Sequence, residues 1–132
     1  MIELVVVVNP KPCTRPRFNR NSGRAYHDSK YITYRRDLEL ALREVWTKAP
    51  LDVPCRVEIL CFGRRPKTTK LPFPKPDVDN YAKGVLDAMQ GQKDAAKIIL
   101  EDDWIVKRLE VEKFWAAPDD PGRIVINIEA ME

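Results

Sequence analysis

Residues 2 to 8 read IELVVVV. Side chains branched at Cβ suit the pleated surface of a sheet. A strand with almost no polar alternation fits burial on both faces. The chain must therefore build a sheet and cover it. The apolar part of the run, VVVV at residues 5 to 8, follows Glu3 with no basic segment before it, so it is not read as a secretory leader. No apolar stretch approaches the roughly 20 residues that a spanning helix needs. The cytoplasm is the expected compartment.

The remaining elements follow from periodicity and punctuation. Residues 9 to 28 hold prolines, arginines and the turn tripeptide NSG, and read as a long loop of the kind that is functional or disordered. A helix is expected from about Lys30 to Lys48. Its apolar stripe is Tyr31, Tyr34, Leu38, Ala41, Leu42 and Val45, capped by Asp28 or Ser29 and followed by Pro50. Residues 53 to 62 alternate as a strand, with Cys55, Val57, Ile59 and Cys61 on one side. GRRPKTTKLPFPKP is a proline-broken basic loop. A second helix starts near Val78, buries Val78, Ala82, Val85 and Met89, and stops at Gly91. Residues 92 to 103 are ambiguous. Strands at 104–115 and 122–129, joined by AAPDDPG, read as an antiparallel hairpin.

The expected fold class is α/β, of an α+β-like kind. Its order is β-α-β-α-β-β, with a small mixed sheet and two helices packed on one face. The 132 residues allow one domain, spanning 1–132. Three cysteines, Cys13, Cys55 and Cys61, show no CxxC spacing, so neither a disulfide framework nor a zinc site is expected. Cys55 and Cys61 read as core thiols. A single histidine, His27, removes most zinc and Ser-His-Asp schemes.

Net charge is +3, and its distribution says more than its size. Lys11, Arg15, Arg17, Arg20 and Arg24 fall in one stretch without an acid. Arg64, Arg65, Lys67, Lys70 and Lys75 fall in another. Solubility is one reading. Polyanion binding is the other, because clustered cations neutralise phosphates and release counterions.

Against this basic background stands KPDVDNYAKGVLDAMQ at residues 75 to 90. Asp77 and Asp79 fall at a helix start, where carboxylates cap free N–H groups. Capping accounts for one aspartate more easily than for two. Asp79, Lys83 and Asp87 follow at four-residue spacing, which an ordinary ion-pair ladder also explains. Asp102 and Asp103 form a second acidic cluster at the mouth of a strand. The two clusters, separated by one helix, can converge at one end of the sheet. Converging carboxylates repel, and a divalent cation removes that cost. Oxygen donors without histidine or thiolate suit Mg²⁺, with Mn²⁺ as an alternative. A cation so held beside basic loops can polarise a phosphoryl oxygen and activate water, and Lys83 can stabilise charge on the phosphate. An EF-hand is excluded, because Tyr81 and Ala82 stand where that loop needs an oxygen ligand and glycine. A sugar-nucleotide transferase needs a nucleotide-binding domain for which the chain looks too short.

P-D-x-D-N-x-x-K followed by D-D ahead of a strand resembles the RusA family of Holliday junction resolvases, small endonucleases of bacteria and prophages. NPKPCTRPRF resembles the strand and proline-arginine segment at the family's N-terminus. The similarity covers most of the chain in element order and length. It implies that Asp77, Asp79 and Asp103 are the metal-binding, catalytic aspartates and Lys83 the catalytic lysine. Asp102 and Asp87 also match family positions, with supporting or structural roles. GQKDAAKIILE, between the helix and D-D, carries no recognisable part of the pattern. The resemblance further implies a homodimer that binds four-way junctions by shape and nicks two opposing strands symmetrically. The symmetry agrees with one site per chain.

Arg15, Arg17, Arg64, Arg65, Lys67, Lys70 and Lys75 are the residues expected to hold DNA phosphates. Phe73, between prolines at the edge of the basic loop, is placed either to wedge into an opened junction or to pack under the loop. The expected function is thus a Mg²⁺-dependent, junction-resolving endonuclease of DNA recombination and repair. The alternative is a branched-DNA-binding protein without catalysis.

Overall fold

The computed structural model describes residues 1–131. Its main sheet has four strands in the order β1-β6-β4-β5. They are β1 (Ile2–Val6), β4 (Cys55–Gly63), β5 (Val106–Trp115) and β6 (Arg123–Ala130). Two helices, α1 (Ser29–Val45) and α2 (Val78–Gln90), pack on one face. β4 and β5 run parallel, and α2 supplies the crossover that a parallel pair requires. β6 runs antiparallel to both β1 and β4. The sheet is therefore mixed and the fold class is as expected.

The core is the helix side of this sheet. Val57, Ile59 and Cys61 of β4 stand opposite Ile128, Ile126 and Ile124 of β6, and all six are buried. Leu38 and Leu42 of α1 and Val85 and Met89 of α2 close over them. Cys55 and Cys61 are core thiols, and burial pushes the Cys61 thiol up to about 12, which keeps it unreactive. Ile98, Ile99 and Leu100, in the ambiguous segment, also enter the core. The N–H groups of Ile99 and Leu100 donate to the Met89 carbonyl.

Four expectations give way. β1 is buried on one face only: Leu4 and Val6 face the helices, while Val5 and Val7 are exposed. No layer covers the other side among the described residues, so a continuous apolar run does not prove two-sided burial. The hairpin of the last two strands does not form. β5 and β6 flank β4 rather than each other. The link AAPDDPG steps across one intervening strand, about 10 Å, which seven residues span easily. Gly122 in that link has φ +101°, and a Cβ there would collide with Asn9. Each helix stripe is offset at one end. Val45 and Val78 are exposed, and Trp46, just past α1, is buried instead. Finally, the loop at 9–28 contains a small hairpin, β2 (Arg17–Phe18) with β3 (Ala25–Tyr26). Asn19 Oδ1 accepts from the N–H groups of Asn21 and Ser22, and Gly23 takes a positive φ to close the turn. No helix is long and apolar enough to cross a membrane among the described residues.

Candidate active site and nucleic-acid interface

α2 carries most of the acidic constellation, and its start is unusual. Asp77 is the N-cap residue, yet its side chain makes no capping hydrogen bond. Its carbonyl accepts from the N–H groups of Asn80 and Tyr81. The Asp77 carboxylate is thus left uncommitted, and the capping explanation loses one aspartate. Among the described residues, Asp79 Oδ1 accepts only from the adjacent Asn80 N–H at 3.0 Å. Asp79 has no ion-pair partner among the described residues. By contrast, Asp28 caps α1 fully: its Oδ1 accepts from Tyr31 N–H at 2.9 Å and its Oδ2 from the Thr14 hydroxyl at 3.2 Å.

Asp79, Lys83, Asp87 and Asp103 line one groove of about 430 Å³ between α2 and β5, floored by Ala82, Leu86, Leu109 and Val111. Asp77 is not among its lining residues. Asp79 and Asp87 are eight residues apart, about 12 Å along the helix axis, so the groove has two ends. Lys83 lies between them and pairs with Asp87 at 3.5 Å. Asp103 belongs to the Asp87 end. Partial desolvation, the hydrogen bond and charge of Asp102, and the charge of Asp87 raise its carboxyl above the ordinary range, and Lys83 opposes them. Asp102 caps a 3-10 turn at Asp103–Ile105, accepting from Trp104 N–H at 3.4 Å. Among the described residues, no three acid, histidine or cysteine side chains come together tightly enough to cage a metal ion. The donors nonetheless fit a hard cation. All are carboxylates, and Asp79 lacks a counter-charge among the described residues. Mg²⁺ is commonly held by one or two carboxylates together with substrate phosphate.

A second polar system lies behind this groove. Arg35 of α1 reaches Asp87 at 3.8 Å and donates to Glu39 at 3.2 Å, and Glu39 accepts twice from Gln92 at 3.1 Å. Gln92, Glu39, Arg35, Asp87 and Lys83 thus form a connected chain from the back of α1 to the groove. Sequence reading missed it. The signal was there: Arg35 and Glu39 follow Tyr31 at four-residue spacing, on the side of α1 that packs inward. Gly84 assists this contact, since a Cβ there would press within 3.3 Å of the Tyr31 hydroxyl.

Both basic loops are anchored close to the start of α2. Cys13 N–H donates to the Asn80 carbonyl at 2.9 Å, which pins the N-terminal arginine loop to the first turn of the helix. Lys113 donates to the Pro76 carbonyl at 2.8 Å, and the Trp115 indole donates to Leu71, which hold the second basic loop. Arg64, Arg65 and Lys67 line a larger groove of about 990 Å³ against the β5–β6 link. Arg15, Arg17, Lys70 and Lys75 are exposed outside it. Phe73 is half-exposed, with the Lys113 ammonium 5.0 Å from its ring centroid. It is neither packed away under the loop nor free of contacts.

No curated protein matches the chain. The family model for Endodeoxyribonuclease RusA matches residues 8–129, almost the whole length. The chain therefore belongs to the RusA family of Holliday junction-resolving endodeoxyribonucleases.

Proposed function

We propose that the whole chain forms one RusA-like domain that acts as a homodimer. It uses Mg²⁺, with Mn²⁺ as a substitute, to resolve four-way junctions by paired symmetric nicks during DNA recombination and repair. Its setting is the bacterial cytoplasm, on cellular or phage DNA. The observation that carries this reading is the shared groove of Asp79, Lys83, Asp87 and Asp103 in a chain of this family.

The roles follow from chemistry. Asp77, Asp79 and Asp103 would hold the cation, which when bound supplies Lewis acidity to a phosphoryl oxygen. The uncommitted carboxylate of Asp77 and the raised pKa of Asp103 support that assignment. Lys83 is largely exposed on the groove wall, and Asp87 tethers it. Its ammonium offers a fixed positive charge where negative charge grows on the phosphate. Asp87 and Asp102 position Lys83 and Asp103. The two basic loops, through Arg15, Arg17, Arg64, Arg65, Lys67, Lys70 and Lys75, hold flanking phosphates without reading sequence. Two cuts on opposite strands require two such sites, and a two-fold dimer supplies them.

A second reading, a junction-binding protein without catalysis, draws support from the separation of the Asp79 and Asp103 ends of the groove. One experiment divides the two. A labelled four-way junction and a linear duplex of the same sequence are incubated with the protein in Mg²⁺ or in EDTA. Paired nicks in the junction alone, and only with Mg²⁺, support the resolvase. Tight junction binding without nicks supports the second reading.

A further inference from the structure

The chain has three tryptophans, and two of them are committed to the fold. Trp46 is buried and its indole N–H donates to the Ala49 carbonyl. The Trp115 indole N–H donates to Leu71 at 2.8 Å. Trp104 differs on both counts. It is 78% exposed, and its indole has no hydrogen-bond partner among the described residues.

Its backbone, however, is firmly placed. Asp102 caps the 3-10 turn by accepting from Trp104 N–H, and the next residue, Ile105, is buried in the core. Val106 N–H donates to the Asp103 carbonyl and closes the turn into β5. The indole is thus an aromatic plate presented to solvent by an ordered turn, not a side chain on a loose loop. Adjacent Cα atoms lie about 3.8 Å apart, so the residue that carries the plate follows directly on Asp103, which lines the groove, while the indole itself lies outside the groove's lining. Exposed Lys107 follows at the start of β5 and provides a partner for phosphate.

A nucleobase lies within one nucleotide of the phosphate to which its sugar is joined. An aromatic surface beside a phosphate-cleaving groove is therefore within reach of a base flanking the cut. In a continuous duplex that base is stacked and paired. At the crossover of a four-way junction stacking is already interrupted, so exposing a base costs least there. We infer that Trp104 is a stacking platform for an unstacked nucleobase beside the scissile phosphate, and that it favours junction over duplex DNA. This rests on the acidic groove being the cutting site.

The test uses the full chain. Binding is measured for an Asp79→Asn protein with Trp104 intact, changed to Phe, or changed to Ala, on a four-way junction and a duplex of equal length. Base–aromatic stacking predicts that Trp104→Ala lowers the junction-to-duplex affinity ratio by roughly 5- to 160-fold, with Phe retaining part of it. Junction binding should also quench Trp104 emission and shield it from acrylamide, read as the difference from the Ala variant. An unchanged affinity ratio, or Trp104 emission that ignores saturating junction, overturns the inference. So does a Trp104→Ala protein that sediments as a monomer where the parent is a dimer, since the indole would then belong to a subunit contact. If Asp79→Asn still cuts at the normal rate, the groove assignment fails instead, and the binding arms report that separately.

Discussion

The groove between the basic loop and the β5–β6 link holds about 990 Å³, more than twice the roughly 430 Å³ beside α2. In the larger groove the more buried of the two lining acids is provided for, while Asp119 is exposed and has no ion-pair partner among the described residues. Asp120 pairs with Arg123 at 2.6 Å and also accepts from Gly122 N–H. Arg64, Arg65 and Lys67 on the facing wall have no ion-pair partner among the described residues. In the smaller groove the cation is provided for: Lys83 is paired with Asp87, while Asp79 and Asp103 have no ion-pair partner among the described residues. The larger groove leaves Arg64, Arg65 and Lys67 unsatisfied against a single unpaired Asp119, whereas the smaller leaves only carboxylates. Unpaired guanidinium and ammonium groups suit phosphate, whereas unpaired carboxylates suit a hard cation. The proposed chemistry therefore fits the smaller groove better than the larger one.

The largest expected effect separates the grooves outright. Asp79→Asn should reduce single-turnover cleavage of a four-way junction by at least about 100-fold, the scale of losing a group that holds or supports a metal. Junction affinity should stay the same or rise, because a negative charge facing phosphate is removed. If cutting is unimpaired, the smaller groove is not the site.

Replacing Arg64, Arg65 and Lys67 together by Ala should do the reverse. Affinity should fall for junction and duplex alike. The slope of log affinity against log salt should shrink by about one for each phosphate left without its cation. Cleavage rate at saturating protein should hold. A rate loss at saturation would mean that the larger groove takes part in the chemistry.

Next comes the support behind the acidic groove. Arg35→Gln removes the cation shared by Asp87 and Glu39. Stability should fall by about 1–3 kcal/mol, the scale of a charged hydrogen bond left unmade, as measured by urea unfolding. Cleavage should fall more than junction binding, because Lys83 loses its fixed tether while the phosphate contacts remain. Equal losses in both would assign Arg35 to the fold alone. Phe73→Ala should have a smaller effect. The half-exposed ring touches Lys113, which also holds the Pro76 carbonyl, so the loop keeps its main anchor. A drop in junction cutting with duplex affinity unchanged would support the wedge.

How far these features were readable in the chain depends on whether they are local. Alternation gave the inward face of β4, and the start of α2 near Val78 and its stop at Gly91 matched, because both are set within a few residues. The two grooves are not local. Asp103 reaches Asp87 and Lys83 only because β5 returns parallel to β4 after the α2 crossover. Asp120 faces the basic loop because the last strand inserts between β1 and β4. AAPDDPG carries every mark of a hairpin turn, and nothing in it says that β4 offers β6 a better-matched apolar face. Asp77 is a different case. Its position at the helix start was legible, but that its carboxylate would stay uncommitted was not, since capping depends on side-chain torsion rather than residue type.

The smallest effect bears on why the acidic groove leaves its charge unsatisfied. The Asp103 carboxyl has a folded-state pKa above its ordinary value of 3.8, chiefly from desolvation, with Asp102 and Asp87 adding to it. A carboxyl shifted upward favours the folded state most while it holds its proton. That contribution is complete below 3.8 and is lost as pH climbs through the raised value. In the metal-free protein, ionised Asp103 should therefore be a mild burden near neutrality. Asp103→Asn keeps the shape and removes the titration. Its melting temperature in EDTA should match the parent at the acid end, pull ahead as pH rises through that window, and then hold a constant lead. Divalent cation should narrow the lead by stabilising the parent alone. A parent that melts higher than Asp103→Asn at neutral pH without metal would mean that Asp103 is already paired, and the contrast between the two grooves would lose its acidic half.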